Sequence, residues 1–249
     1  MFLAVDIGNS YIKFGTFDGE NLISKFSIAT THDLTVEQLR NAAGQSLRFP
    51  IADILVCSVV PQVRNAISDF LSVDLGVAPV FVNNEFDFGL KFNYEPLTAT
   101  GTDRLVNAFA AASKYGFPCL ACSLGTATTI DVVDEHGLVP GGVIAPGIKS
   151  MARALHLNTS QLPEVALEMP PAIIQTATSG SIQSGLIYGY FGMVKELILR
   201  MKSEVGGDPK VVATGGFSRL VAENTSLVDI VDENLLLDGL RLLAKRMDH

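Results

Sequence analysis

The segments LAVDIGNSYIKF (residues 3–14) and LACSLGTATTID (residues 120–131) are two copies of one pattern, and they decide how the chain is organised. At a constant offset of 117 residues, a leucine, an alanine and a glycine recur in step, the glycines being Gly8 and Gly125. Each segment is an apolar strand, a turn of small polar residues and a second strand, and each is followed by another turn and a third apolar stretch. Such internal similarity indicates a duplicated structural unit. We therefore predict two related halves, each opening with a β-meander.

Helix and strand patterns alternate after each meander. In the first half we expect helices at 36–47, 61–70 and 102–115, strands at 53–60 and 80–83, and an irregular connection at 84–100. In the second half we expect strands within 118–145 and at 210–213 and 227–231, and helices at 147–157, 180–203 and 235–246. Antiparallel strands that give way to strand–helix alternation predict an α/β fold with mixed sheets. The expected domains are residues 1–116 and 117–249.

The composition of the 249 residues excludes several classes of protein. Hydrophobic residues make up 48% and charged residues only 18%, which is enough apolar material for a sizeable core and excludes a disordered chain. The net charge of −8 argues against general binding to nucleic acid or to an anionic membrane. No run of 18 apolar residues is present, and because the first residues lack a basic region, we expect no secretory signal. We therefore expect a cytoplasmic globular protein.

The cysteines and histidines give no metal or redox motif. Cys119 and Cys122 are spaced as a C-x-x-C pair but lie in an apolar strand, where residues i and i+3 point to opposite faces. With Cys57, which lies in another apolar strand, they are interpreted as packing residues. The histidines have no ligand spacing; they are His32, His136, His156 and His249.

The turn Gly8-Asn9-Ser10 after Asp6 is a candidate phosphate site. Successive N–H groups of such a turn can hold a phosphate, and a carboxylate at the strand end can hold Mg²⁺ through water. An ordinary hairpin turn is the alternative, and the related turn at Gly125-Thr126 favours the phosphate interpretation because two such turns could clamp one phosphate chain. Neither turn is a Walker loop, and no GxGxxG motif is present.

The segment Gly101-Thr102-Asp103-Arg104 places an acid and a base at the start of a predicted helix. An early Asp that complements the helix dipole is the structural alternative. As functional groups, Asp103 could accept a proton from a hydroxyl group, and Arg104 could bind an anion through its planar fork.

Eight motifs in order resemble the type III pantothenate kinases, which belong to the actin-like/sugar-kinase/Hsp70 ATPase superfamily. They run essentially from Met1 to Arg246 and read LAVDIGNS, GTDR, LGTATTID, GGVIAPGI, TSQLP, SIQSGL, ATGG and LLLDGLRLL. The resemblance implies two duplicated ribonuclease-H-like domains in an actin-like ATPase architecture. It also implies ATP-dependent phosphorylation of pantothenate to 4′-phosphopantothenate, the first step of coenzyme A synthesis, by a homodimer that uses Mg²⁺ and a monovalent cation, K⁺ or NH₄⁺.

The resemblance also assigns site residues to this sequence. Asp103 corresponds to the catalytic base. The ATP-contacting residues are Asp6, Ile7, Gly8, Asn9, Ser10, Tyr11, Ile12, Lys13 and, in the second turn, Thr126. The pantothenate-contacting residues are Tyr94, Gly101, Thr102, Asp103, Arg104 and Thr178. Mg²⁺ would lie near Asp6, bound through water.

One position departs from the family pattern in a way that bears on chemistry. The second phosphate motif usually reads Asp-x-Gly-Thr, and here Ser123 replaces the Asp that is associated with the monovalent cation. A serine hydroxyl can coordinate a cation but carries no charge, so we expect weaker binding. The alternatives to an active pantothenate kinase are a catalytically weak paralogue that acts as a regulatory or nucleotide-binding protein, and a kinase for another small alcohol. Because Asp103, Asp6 and Gly8 are all present, we favour the pantothenate kinase.

Overall fold

The computed structural model describes residues 1–44 and 46–247. Its residues form two compact units: Met1–Ser113 with the C-terminal segment from Asn234 onward, and Lys114–Glu233. The first unit contains the first meander and the second unit contains the related one. Among the described residues, no helix is both long enough and apolar enough to cross a membrane.

Unit 1 is built on a five-stranded sheet in the order β3-β2-β1-β4-β5. Its strands are β1 (Phe2–Ile7), β2 (Tyr11–Asp18), β3 (Asn21–Ala29), β4 (Asp53–Ser58) and β5 (Val80–Phe81). The first three strands are antiparallel neighbours, and β4 runs parallel to β1. The remaining regular elements are β6 (Lys91–Phe92), α1 (Val36–Ala43), α2 (Arg64–Asp74), α3 (Thr102–Tyr115), and 3₁₀ turns at Pro61–Val63 and Leu97–Ala99.

Unit 2 repeats this arrangement in the order β10-β8-β7-β11-β12. The strands are β7 (Cys119–Leu124), β8 (Ala127–Val133), β9 (Leu138–Val139), β10 (Gly142–Pro146), β11 (Lys210–Thr214) and β12 (Ile230–Val231). As in unit 1, an antiparallel hairpin is extended by a parallel strand on its first member. The helices of unit 2 are α4 (Ile148–Leu157), α5 (Thr178–Val205) and α6 (Ser218–Thr225). The duplication expected from the two glycine turns is confirmed by this common strand order.

The period of two along β1 determines which side chains meet which helices. Leu3, Val5 and Ile7 are fully buried in one cluster with residues of α1 and α2. Ala4 belongs to a second cluster, on the opposite face, with residues of α3 and of the C-terminal helix. Asp6 shares the face of Ala4, so the carboxylate at the end of β1 points to the side of the sheet on which α3 packs.

The helix α7 (Leu235–Met247) corrects the expected domain division. The sequence assigned 117–249 to the second half, but α7 packs on the sheet of unit 1. Leu237 and Leu240 are buried in the cluster that also contains Leu105 of α3, and an added Cβ at Gly239 would lie 2.8 Å from Val106. The apolar face of α7 therefore completes the core of unit 1. The other expected boundary, at 116/117, lies three residues beyond the observed division between Ser113 and Lys114.

Most expected elements are present, with shifted ends. The helix expected at 36–47 ends at Ala43, where Gly44 adopts a positive φ of 44°, and Gln45 lies outside the described residues. The strand expected at 227–231 is reduced to β12. In contrast, α5 extends the helix expected at 180–203 by two residues at each end. Its buried face, which includes Ile187, packs against the sheet of unit 2.

Candidate active site

The turn after β1 is short, braced and exposed at its tip. The N–H group of Gly8 donates to the carbonyl oxygen of Tyr11 at 3.0 Å, and the Thr30 hydroxyl donates to the carbonyl oxygen of Gly8 at 2.7 Å. Asn9 and Ser10 are exposed. A Cβ at position 8 would lie 3.3 Å from the Tyr11 carbonyl oxygen, so glycine gives the turn room to close tightly. The geometry leaves the tip of this turn open to a ligand.

Asp6 and Lys13 form an ion pair beside this turn. They are register partners on β1 and β2, and Lys13 Nζ lies 3.1 Å from Asp6 Oδ2. The Asp6 residue is only 6% exposed, so its charge is held against the sheet rather than in bulk water. Ile7 and Ile12 have fully buried side chains, which leaves only their backbone groups for contact with a ligand.

Cys57 lies between the first turn and the start of α3. It is the register partner of Asp6 on the parallel strand β4, and its Sγ atom lies 3.4 Å from the Thr102 hydroxyl. Burial raises the pKa of the Cys57 thiol well above its usual range, and the negative charges of Asp6 and Asp103 raise it further. Through its pairing with Asp6 and its contact with Thr102, Cys57 links the strand that carries Asp6 to the first turn of α3, which contains Asp103.

Asp103 is held in a defined position at the start of α3. Its Oδ1 accepts a hydrogen bond from the backbone N–H of Arg104 at 2.9 Å. A Cβ at Gly101 would lie 2.5 Å from the same oxygen, so any larger residue there would displace the carboxylate. The glycine of the GTDR motif thus makes space for the Asp103 side chain.

The guanidinium group of Arg104 is held against Tyr94. Its Nη2 donates to the Tyr94 hydroxyl at 3.0 Å, and its Cζ lies 4.7 Å from the centre of the Tyr94 ring. Both residues are half-buried. A guanidinium group held in this way loses little freedom when it pairs with a carboxylate. The two expected pantothenate contacts are therefore brought together.

Asn84, which no sequence motif marks, supports the loop that joins these residues. Its Nδ2 donates to the carbonyl oxygens of Leu97 and Thr100, the latter at 2.8 Å. The loop between Tyr94 and Gly101 is thereby held at two points by one amide. A single Asn in an irregular stretch gives no sequence signal for this role, because the bonds join residues 13 and 16 positions apart.

In unit 2 the turn at Gly125-Thr126 is braced by the start of α4. The N–H group of Gly147 donates to the Thr126 carbonyl oxygen at 3.1 Å, and the Ser150 hydroxyl donates to the same oxygen at 2.6 Å. A Cβ at Gly147 would lie 2.7 Å from that oxygen and even closer to the carbonyl of Gly125. Gly147 was not among the expected site residues, although it lies in the GGVIAPGI motif.

The turn after β11 packs against the same region of unit 2. The N–H group of Phe217 donates to the Leu124 carbonyl oxygen at 3.3 Å. Gly215 has a φ of 95°, and a Cβ there would lie 2.6 Å from that oxygen. The Thr214-Gly215-Gly216 turn therefore lies against the turn that contains Gly125. This close approach is possible because Gly215 has no Cβ.

Ser123 lies in a row of three hydroxyl side chains. Its register partners are Thr129 on β8 and Thr214 on β11, and Thr214 is only 7% exposed. Register partners share one face of a sheet, so the three hydroxyl groups line the same side at the end of β7. The corresponding row in unit 1 carries the charges of Asp6 and Lys13. The row in unit 2 is therefore polar but uncharged.

Thr178 is the first residue of α5 and is exposed. It belongs to unit 2, whereas Tyr94 and the GTDR residues belong to unit 1. Across residues 1–44 and 46–247, no group of three or more His, Cys, Asp or Glu side chains is arranged to hold a metal ion. His249 lies outside the described residues.

Comparison with known proteins gives a consistent result over the full chain. The family model for type III pantothenate kinases matches residues 2–200. The type III pantothenate kinase of Anaeromyxobacter sp. (strain Fw109-5) is 40% identical over 253 residues, which cover 99% of each chain. That of Agathobacter rectalis is 36% identical over 258 residues, which cover 100% of this chain and 98% of the relative.

Solved structures agree at the level of the fold. The ROK hexokinase from Thermus thermophilus aligns over 100% of this chain and 99% of its own, with a TM-score of 0.51 and 15% identity. MreB 5 of Spiroplasma citri, bound to AMPPNP, aligns over 99% and 96%, with a TM-score of 0.56 and 10% identity. The α/β, actin-like architecture expected from the sequence is therefore confirmed. On the match to residues 2–200 and the full-length relatives, the chain belongs to the type III pantothenate kinase family.

Proposed function

We propose that this chain transfers the γ-phosphoryl group of ATP to the primary hydroxyl of pantothenate, the first step of coenzyme A synthesis, with Asp103 as the general base. Membership of the family makes the chain a pantothenate kinase. The observation that supports the assignment of the base is the position of Asp103 in the first turn of α3, whose first residue, Thr102, contacts Cys57, the register partner of Asp6. The proposed base and the proposed phosphate turn thus lie on elements that both adjoin Cys57, which suits transfer of a phosphoryl group to a hydroxyl group.

Asp103 would accept the proton of the attacking hydroxyl. One of its oxygens receives the N–H of Arg104, which fixes the side-chain rotamer and orients the carboxylate before substrate arrives. In the transition state of phosphoryl transfer, the bond between the γ-phosphorus and the leaving oxygen of ATP is largely broken before the new bond forms. The carboxylate therefore needs to accept the hydroxyl proton only as the new oxygen–phosphorus bond forms.

Arg104 and Tyr94 would bind pantothenate through its carboxylate or amide groups. The hydrogen bond and ring contact between them hold the guanidinium in place, so binding requires little further ordering. Gly101, at the end of this loop, and Thr102, the first residue of α3, would be further contacts. We assign Thr178, which is exposed at the start of α5, as a further contact on the basis of the family resemblance.

The two glycine turns would hold the phosphates of ATP through their backbone N–H groups. In unit 1 this involves residues 8–10 with Lys13, and in unit 2 it involves Thr126. The buried carboxylate of Asp6 beside the open tip of its turn suits Mg²⁺, which is commonly held by one or two carboxylates, water and substrate phosphates. When bound, Mg²⁺ would neutralise charge on the transferred phosphoryl group.

We further propose that the enzyme is a cytoplasmic homodimer and that its response to K⁺ or NH₄⁺ is weak. The weak response is supported by the hydroxyl row of Ser123, Thr129 and Thr214, because three neutral ligands bind a cation less strongly than a set that includes a carboxylate. Light scattering of the purified protein would test the dimer: a mass near twice that of the chain is expected, and a monomer would contradict it.

The kinase assignment is tested by Asp103→Asn, with phosphorylation of pantothenate measured in ATP and Mg²⁺. Loss of a general base is expected to lower kcat by about 10²- to 10⁴-fold, because the amide cannot accept the proton. Asp18→Asn, which changes an exposed carboxylate at the far end of β2, is the matched control and should retain full activity. Asp103→Asn with more than a tenth of the original kcat would exclude the base, and an inactive wild type that still binds ATP would favour a regulatory protein.

A further inference from the structure

Cys57 lies on the strand next to Asp6, and its side chain reaches the start of α3, where Asp103 is the second residue. Cys57 is 1% exposed and pairs with Asp6 across the parallel strands β4 and β1. On its other side, Sγ lies 3.4 Å from the hydroxyl of Thr102, the first residue of α3. The thiol thus occupies the space between the candidate phosphate turn and the candidate base.

The direction of the hydrogen bonds follows from the number of protons. The Thr102 hydroxyl has one proton, and it donates to the carbonyl oxygen of Ser58 at 3.5 Å. The same hydroxyl oxygen can therefore accept from the thiol, so the Cys57 S–H group is the donor. The resulting chain runs from Cys57 to Thr102 to Ser58. It attaches the first residue of α3 to the end of β4.

This attachment acts on Asp103 through its neighbour. Asp103 follows Thr102 directly, and its carboxylate is bonded to the N–H of Arg104 within the same first turn of α3. A shift of Thr102 would carry the carboxylate with it. Val59, which follows β4, lies beside Gly101, because its Cγ1 would be 3.7 Å from a Cβ at that position. The segment at the end of β4 therefore lies against the start of α3.

We propose that Cys57 is a positioning residue that, through Thr102, sets the place of Asp103 relative to Asp6. The proposal rests on the proposed function of Asp103 as the base. Cys57 itself touches neither substrate nor the reacting atoms. Its effect should appear in kcat more than in KM, since a small displacement of a base affects the transition state more than the binding of either substrate.

The test compares Cys57→Ala, Cys57→Ser, Thr102→Ala and the double alanine variant in the pantothenate assay. Cys57→Ala should lower kcat about tenfold, with KM for ATP changed less than about threefold. Cys57→Ser retains a hydrogen-bond donor and should recover most of the lost kcat. Because both alanine changes break one hydrogen-bond chain, the double variant should be no slower than the slower single variant.

Hydrogen exchange supplies a readout that does not depend on activity. Exchange of the backbone amides in residues 101–106 should accelerate by at least about fivefold in Cys57→Ala, because the start of α3 opens more easily once its attachment is lost. Cys119→Ala, which removes a fully buried thiol from β7 in unit 2, is the matched control. It should change neither kcat nor exchange in this segment.

The outcomes separate this proposal from the function itself. The positioning role would be overturned if exchange in residues 101–106 were unchanged in Cys57→Ala and if the kcat losses of the two single variants multiplied in the double variant. The kinase activity would still stand. A wild type that does not phosphorylate pantothenate would overturn the proposed function, and the exchange measurement would still decide whether Cys57 holds the start of α3.

Discussion

At the scale of single residues, the candidate site contains two carboxylates held by their neighbours and one serine at a position where the family usually has an aspartate. Asp103 depends on Gly101 for space and on the Arg104 N–H group for its orientation. Asp6 is held by Lys13 at 3.1 Å. Ser123, in contrast, occupies the position in unit 2 that matches Asp6 in the repeat and contributes no charge. The two halves of the duplication have therefore kept the same backbone turn with different side-chain chemistry.

A charge at position 123 is expected to create a response to K⁺. Ser123→Asp places a carboxylate between Thr129 and Thr214, and a carboxylate there that lacks a cation should lower the free energy of unfolding by about 1–3 kcal/mol. Adding K⁺ should restore part of this stability and should raise kcat. Thermal unfolding and kinase assays with and without K⁺ measure both effects.

The neutral variant Ser123→Asn separates charge from size. It has nearly the same volume as aspartate but cannot neutralise a cation, so its unfolding temperature and kcat should not depend on K⁺. An equal K⁺ response in the two variants would show that the hydroxyl row is not a cation site.

At the scale of elements, glycines decide how closely the turns pack. Gly147 starts the segment that leads into α4, and its N–H group bonds to the turn that contains Thr126. Gly215 lets the turn after β11 approach Leu124. Because backbone atoms cannot move aside as a flexible side chain can, these contacts tolerate no Cβ without displacement of the turn.

Gly147→Ala is expected to damage unit 2 and the second turn together. The new Cβ would lie 2.7 Å from the Thr126 carbonyl oxygen, so the turn must move, at a cost of about 2–4 kcal/mol in the free energy of unfolding. KM for ATP should rise as the turn shifts. Urea denaturation and kinase assays measure the two effects.

Gly192→Ala is the matched control for this substitution. Gly192 is exposed within α5. Apart from its chain neighbours and the nearby backbone of its own helix, no atom lies within 4 Å of the position that a Cβ would take. Alanine there should raise stability by up to about 1 kcal/mol, because glycine is a poor helix former. If Gly147→Ala were as stable as Gly192→Ala, the bracing role of Gly147 would be wrong.

At the scale of the whole molecule, the duplication produces two sheets with the same strand order, and one helix breaks the symmetry. The helix α7 ends the chain but packs in the core of unit 1, where Leu237 and Leu240 meet residues of α3. The chain therefore passes from unit 1 to unit 2 and returns. Unit 1 depends on the last residues of the sequence as well as on the first.

Buried thiols in both units predict a loss of stability in alkaline solution. Burial raises the pKa of Cys119 from 9.0 to about 12, with a smaller opposing effect from Lys210. A thiol with a raised folded-state pKa binds its proton more tightly in the folded state. Its stabilising contribution is therefore complete below about pH 9 and is lost as the pH rises towards 12, at up to about 1.4 kcal/mol per pH unit.

Denaturation in urea at pH 8, 9, 10 and 11 tests this prediction. Cys119→Ala removes one titrating thiol, so the decline of its unfolding free energy between pH 9 and 11 should be shallower than that of the wild type. Cys57 and Cys122, whose pKa values burial also raises, remain in both proteins and continue to contribute. Parallel curves for the two proteins would contradict the expected titration.

The sequence alone determined the features that depend on short segments. The strand–glycine-turn–strand pattern at Gly8 and Gly125 predicted the duplication and the two meanders, because strand period and turn chemistry are local properties. The GTDR motif, which is also a local pattern, supplied Asp103 and Arg104 as candidate site residues, and their roles remain a prediction. The buried state of the three cysteines also followed from their apolar neighbours.

Only the tertiary structure decided which distant residues meet. Asn84 holds a loop 13 and 16 residues away, Gly147 braces a turn 21 residues earlier, and Cys57 contacts Thr102 across 45 residues. The sequence pattern also did not predict that α7 packs in unit 1 rather than in unit 2. An amphipathic helix shows that it has an apolar face but not which surface covers that face, since that choice depends on the packing of the whole chain.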